Sequence, residues 1–126
     1  MSWNTYVDVE ICSRIRCRIA VIAGHDGGVW ASHGQPTSQA ELKIIADQMK
    51  TNPAVFQEKG IFVGGDRYIC LHAEEDLVRG RKGGSALCIV KTGRSIIVAA
   101  AEDGESPGKL NVVVEKLGEY LNSAGC

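Results

Sequence analysis

A chain of 126 residues with 14 Lys plus Arg, 15 Asp plus Glu and 44% apolar residues has globular composition and room for one domain. Its formal charge of −1 argues against a bulk nucleic-acid binder, and no apolar run reaches the ~18 residues of a spanning helix. Five cysteines, an odd number with no C-x-x-C pair, read as reduced thiols rather than a disulfide frame or a metal site.

The first ten residues carry neither a basic n-region nor an apolar h-region, so no secretory leader is expected and the chain is placed in the cytoplasm. Ser2 can cap a helix over residues 3–13, in which Trp3, Tyr6, Val7 and Ile11 recur at helical spacing. Cys17 to Ala23 is short and β-branched, the pattern of a buried strand. His25-Asp26-Gly27-Gly28 is a hairpin turn into a second strand, Val29 to Ser32. Thr37 or Ser38 can cap a helix through Lys50. Glu41 is placed for a capping box behind Ser38, and Leu42, Ile45, Ala46 and Met49 share one face. Pro53 to Gln57 suits one further helical turn.

From there the spacing predicts strands at Phe62–Val63, Arg67–His72, Leu77–Arg79, Ala86–Lys91 and Ser95–Ala101. Gly64-Gly65, Gly83-Gly84 and Thr92-Gly93 are turns between them. Pro107 to Asn122 is the clearest helix, with Leu110, Val113, Val114, Leu117 and Leu121 in one stripe. The order of elements predicts an α+β domain: a mainly antiparallel sheet with helices at both ends of the chain.

Three groups of residues could carry function. Trp3 and Tyr6 share a helix face, and Tyr120 lies near the end of the last helix. Aromatic rings of this kind either fill a core or line a groove for polyproline II ligands, which stack flat pyrrolidines on rings and offer unpaired carbonyls to indole and phenol donors. Arg79, Arg81, Lys82, Lys91 and Arg94 form a stretch of +5 in 16 residues with no acid among them. It is either a solvated sheet edge or a surface for an anionic partner. Arg14, Arg16 and Arg18 have period-two spacing that would put them on one strand face; a solvent-facing strand start or a helix–strand junction is favoured over a ligand site.

Catalysis has little support. No phosphate-binding loop follows Gly80, Gly83 and Gly84, and no nucleophile elbow or zinc-protease motif occurs. His25, His33 and His72 are dispersed, and Cys70 and His72 are read as facing opposite sides of a strand. No metal or cofactor is expected. A small cytosolic enzyme using Cys70 or Cys88 is the outlying alternative.

Several stretches taken together resemble the profilins, small actin-monomer-binding proteins. They are Ser2-Trp3-Asn4-Thr5-Tyr6-Val7-Asp8, Asp26-Gly27-Gly28-Val29-Trp30-Ala31, Gly80-Arg81-Lys82-Gly83, Val90-Lys91-Thr92 and Val113-Val114-Glu115-Lys116-Leu117-Gly118-Glu119-Tyr120-Leu121. The match runs in order from residue 2 to 126. The resemblance implies a central antiparallel sheet in a single domain, with the N- and C-terminal helices packed on one face and shorter helices on the other. It implies a polyproline groove at Trp3, Tyr6, Trp30, Tyr120 and Leu121, with Cys126 where the family commonly has an aromatic, and hence weaker proline binding.

It implies an actin face at Arg67, Ile69, His72, Arg79, Arg81, Lys109, Asn111 and Glu115, and phosphoinositide binding through Arg79, Arg81, Lys82, Lys91 and Arg94. The expected function is a monomeric, non-catalytic cytoskeletal adaptor between monomeric actin and proline-rich proteins such as formins, regulated by phosphoinositide head groups. The alternative is a divergent module that keeps the proline and lipid sites but binds actin weakly.

Overall fold

The apolar runs build one seven-stranded sheet whose central strands are covered on both faces. The structure, a computed structural model, describes residues 2–126. The strands are β1 (Cys17–Gly24), β2 (Val29–Gly34), β3 (Ile61–Val63), β4 (Asp66–Ala73), β5 (Leu77–Lys82), β6 (Ser85–Lys91) and β7 (Ser95–Ala101). They lie in the order β2-β1-β7-β6-β5-β4-β3, and every neighbouring pair is antiparallel. The helices are α1 (Trp3–Thr5), which continues as a π-helical segment (Tyr6–Cys12), α2 (Gln39–Thr51), α3 (Val55–Lys59) and α4 (Pro107–Ser123).

Successive side chains of a strand point to opposite faces, so β1, β6 and β7 feed two cores. On one face Ala20, Ile22, Cys88, Val90, Ile97 and Ala99 pack against Val7 and Ile11 of the N-terminal helix and Leu110, Val114 and Leu117 of α4. On the other, Ile19, Val21, Leu87, Ile89, Ile96 and Val98 pack against Leu42, Ile45 and Met49 of α2 and Phe56 of α3. Burial on both faces is why these strands read as unbroken apolar runs. The expected architecture, terminal helices on one face and shorter helices on the other, is the one observed.

Local chemistry explains most element boundaries. Ser38 caps α2 with both arms of a capping box: Glu41 N–H donates to Ser38 Oγ at 3.1 Å, and Ser38 N–H to Glu41 Oε1 at 3.0 Å. The same carboxylate accepts from Gly64 N–H (3.2 Å) and Gly65 N–H (2.9 Å), tying α2 to the β3–β4 turn. Ser106 caps α4, with Pro107 at its first position. Within residues 3–13 the expected α-helix holds only for its first turn. Beyond Thr5 the bonding shifts to the wider π pattern, as in Ser13 N–H to Asp8 O at 2.9 Å. The α3 helix starts at Val55, two residues after Pro53, while β2 and β5 run further than expected, to Gly34 and Lys82.

Two contacts shape the sheet. Asp66, opening β4, accepts from Arg18 of β1 at 3.2 Å and from Lys82 of β5 at 2.7 Å. β1 and β4 are separated by three strands in the sheet, so this contact requires a strong curl. On the opposite side α4 sits close on β6 at Gly118, where an added Cβ would come 2.5 Å from Val90 Cγ1. The β6–β7 turn holds the end of the chain: Thr92 Oγ1 and Arg94 N–H donate to Cys126 O at 2.7 and 2.8 Å, and Gly93 N–H donates to Asn122 Oδ1 at 3.0 Å. Among the described residues no helix is long and apolar enough to cross a membrane.

Candidate functional site

The two ends of the chain meet above β2. Ser2 Oγ accepts from Thr5 N–H at 3.3 Å and starts the first helical turn, which sets Trp3 and Tyr6 side by side. Their ring centroids are 5.4 Å apart. Trp3 also packs on Trp30 of β2 at 4.7 Å, and Tyr6 on Tyr120 of α4 at 6.0 Å, each pair tilted by 47°. Four of the chain's seven aromatic residues therefore form one continuous row. Trp30 and Tyr120 remain 37% and 50% exposed, so the row is a surface and not a core. The Tyr120 hydroxyl beside it raises the Tyr6 phenol above its ordinary value.

Leu121 differs from the other four residues expected here. It is 1% exposed and lies in the core beneath the row, supporting it from below. Cys126 packs on the same core, half-buried. From Tyr6 and Tyr120 a groove of about 460 Å³ continues between the N-terminal helix and α4, lined further on by Glu10, Arg14, Val112, Lys116 and Leu117.

A second face lies on the open part of the sheet beside the start of α4. Ile69 pairs with Arg81 and His72 with Arg79 across β4 and β5, so all four side chains stand on the α4 side. Arg79 donates to Glu115 of α4 at 2.7 Å. This hydrogen bond raises the Arg79 guanidinium above its ordinary value. Asn111, one helical turn before Glu115, shares its direction. Lys109 does not: six residues from Glu115, it projects about 120° away around the helix. Arg67 shares the face of Ile69 by alternation, and its Nε donates to Lys59 O at 2.9 Å.

Residue spacing missed two apolar members of this face. Phe62, opposite Arg67, is 52% exposed, and Leu71, on the face of Ile69 by alternation, is 59% exposed; the β-bulge between Cys70 and His72 adds His72 to the same face. An edge position and a bulge leave no mark in the hydrophobic pattern.

The five basic residues of the +5 stretch are not brought together. Arg79 and Arg81 stand on the α4 side. Lys82 and Lys91 fall on the opposite face by alternation, Lys82 against Asp66 at 2.7 Å and Lys91 within 4.0 Å of Glu75. Arg94 sits in the β6–β7 turn. The three arginines at 14, 16 and 18 do not share a strand face either, because β1 begins only at Cys17. Each has its own carboxylate: Arg14 with Glu10 at 3.1 Å, Arg16 with Glu105 at 2.7 Å, and Arg18 with Asp66 at 3.2 Å.

Cys70 and His72 do not pair side chain to side chain. Cys70 and His72 do lie on opposite faces, but regular alternation would have put residues two apart on the same face, and the bulge separates them. Burial raises the Cys70 thiol and pushes that of Cys88 up to about 12, so neither is a ready nucleophile at neutral pH. His25 Nε2 lies 3.0 Å from Thr92 O and 3.2 Å from Ser95 O, and serves to brace the β6–β7 turn.

Comparison with known proteins bears on this arrangement. The profilin family model matches residues 1–126. Profilin-A of Physarum polycephalum is 36% identical over 125 residues, covering 99% of each chain. The crystal structure of Acanthamoeba castellanii profilin II superposes with a TM-score of 0.92 at 32% identity, over 99% of this chain and 100% of that one. Mouse profilin IIa, solved in complex with a double repeat from the FH1 domain of mDia1, shares the fold at a TM-score of 0.80 and 20% identity, over the full length of both chains.

Proposed function

The chain belongs to the profilin family of actin-binding proteins, and on that premise we propose that it is a non-catalytic adaptor with two separate faces. The row Trp3, Tyr6, Trp30 and Tyr120, with Leu121 beneath, takes proline-rich segments. The face of Arg67, Ile69, His72, Arg79, Arg81, Asn111 and Glu115, with Lys109 at its margin, takes monomeric actin.

The observation that carries the reading is the row of four rings at the seam of the chain ends. Tilted rings in contact at 4.7 to 6.0 Å present a continuous aromatic surface on which pyrrolidine rings can stack. An indole N–H and phenol hydroxyls are available for the carbonyls that a polyproline II helix leaves unpaired. A ligand already extended loses little conformational freedom on docking. The mouse profilin solved with a proline-rich partner, a double FH1 repeat, fits this assignment.

The second face combines exposed apolar residues with cations. Arg81 and Arg67 have no carboxylate within ion-pair distance among the described residues, so their charge is free to steer an acidic protein surface. Phosphoinositide head groups would compete for Arg81 and Arg79, while Lys82, Lys91 and Arg94 lie outside that patch. The adaptor acts in the cytoplasm, at the cytoskeleton, as a monomer.

One paired experiment tests the reading. A single preparation is titrated with poly-L-proline and with actin monomers, separately and then together. Saturable binding of both, with neither displacing the other, is expected. Mutual displacement would show that the faces are not separate. Proline binding without saturable actin binding at tens of micromolar would leave the divergent module, a reading favoured by the Arg79–Glu115 pair that ties up two charges of the actin face.

A further inference from the structure

The aromatic row does not end at Tyr120. The groove between the N-terminal helix and α4 shares Tyr6 and Tyr120 with it and runs on toward Arg14 and Val112. Val112 to Tyr120 spans eight residues of α4, about 12 Å at 1.5 Å per residue. A polyproline II chain rises 3.1 Å per residue, so the extension accommodates about four more ligand residues.

The lining changes character along that length. Its floor is Val113 and Leu117, both in the core, and Val112 is 54% exposed at the rim. Lys116 stands on the wall with no carboxylate within ion-pair distance among the described residues. Arg14 and Glu10 face each other at 3.1 Å and largely cancel. Lys109 lies seven residues before Lys116 and so continues the same side of α4. The groove thus passes from rings to an aliphatic floor to a net positive end.

We propose that this extension is a specificity subsite for the segment flanking a proline run, and that it selects an apolar residue followed by an acidic one. The inference rests on the aromatic row being the proline site. Continuity through Tyr6 and Tyr120 makes one ligand span both parts. The aliphatic floor has no aromatic face on which a pyrrolidine could stack and suits a Leu or Val side chain. The unpaired Lys116 ammonium favours a carboxylate and repels a lysine.

The test uses the whole chain and intrinsic tryptophan fluorescence. The probes are decaproline, decaproline extended by Leu-Glu-Glu at either end, and the matching Leu-Lys-Lys peptides. At low ionic strength one acidic peptide should bind three- to tenfold tighter than its lysine counterpart. That ratio should collapse toward one in 0.5 M salt, because an exposed pair is screened over about 3–5 Å there. In Lys116→Glu the ratio should invert, with folding checked by thermal melting.

Equal affinities for acidic and lysine peptides at both ends, with decaproline still bound, would overturn the subsite and leave the proline site standing. Failure of decaproline to bind would remove both. A concentration-dependent dimer that the peptides must dissociate would assign the groove to a second copy of this chain and also overturn the proposal.

Discussion

Trp3 and Trp30 meet with ring centroids 4.7 Å apart, one from the first helical turn and one from β2, so this contact fastens the N-terminal helix to the sheet edge and supplies half of the aromatic row. Trp3→Ala should therefore abolish retention on poly-L-proline and also cost about 1–2 kcal/mol of stability through lost packing. Tyr120→Ala separates the two effects. Tyr120 is half exposed, so retention should fall sharply while the melting temperature stays within a few degrees. Retention unchanged in both variants would remove the row from the proline site.

On the other face Arg79 and Glu115 are each about one-third exposed. Their coupling in a double-mutant cycle of urea unfolding should be modest, about 0.5–1 kcal/mol. Arg81 has no such partner. Arg81→Glu should leave stability nearly unchanged and weaken actin-monomer binding at least fivefold at low salt, mostly through slower association. An unaltered association rate would place the actin face elsewhere.

Tyr68 is fully buried, and among the described residues its hydroxyl has no hydrogen-bond partner. Tyr68→Phe removes an unsatisfied polar atom while keeping the ring. The variant should be as stable as the parent or up to ~1 kcal/mol more stable in urea unfolding. A loss above 1 kcal/mol would reveal a bonded hydroxyl.

Gly118 allows α4 to approach β6. A methyl group there meets Val90, whose branched side chain has little freedom to move aside. Gly118→Ala should destabilise by about 1–3 kcal/mol despite the better helix propensity of Ala. Combining it with Val90→Ala should cost less than the sum of the two single changes, measured by the same unfolding cycle.

Acid should loosen the curl of the sheet. The hydrogen bond from Lys82 lowers the Asp66 carboxyl below its ordinary 3.8, and the hydrogen bond from Arg16 lowers Glu105 below 4.5. With the folded value depressed, the unfolded chain takes up the proton first. The stabilisation is complete above about pH 4.5 and is lost as pH falls through the depressed folded values. Asp66→Asn should flatten the acid side of a melting-temperature profile below pH 4 relative to the parent. A parallel profile would mean that Asp66 carries none of the effect.

The burial of β1, the strands β6 and β7, the capping box at Ser38 and the apolar stripe of α4 were all legible, because each is written in local spacing. The resemblance to profilins supplied Trp30, which no spacing rule connects to Trp3. What stayed hidden is what depends on three-dimensional coincidence. The bulge at Cys70–His72 brings His72 onto the face of Ile69, alternation splits Arg81 from Lys82, and the curl brings Asp66 to Arg18. A run of like charges in sequence does not specify which side of a strand each member takes.

The aromatic row also sets an order on biosynthesis. A chain emerging from the ribosome presents Trp3, Tyr6 and Trp30 early, but Tyr120 and Leu121 follow every strand of the sheet, and β1 must wait for β7 before it is paired on both sides. The Trp3–Tyr6 and Trp3–Trp30 contacts join residues made early, whereas the Tyr6–Tyr120 contact closes only once α4 has been made and has docked. Before α4 docks, three of the four rings are present but Tyr120 and its wall of the groove are not, so the row reaches its full length last.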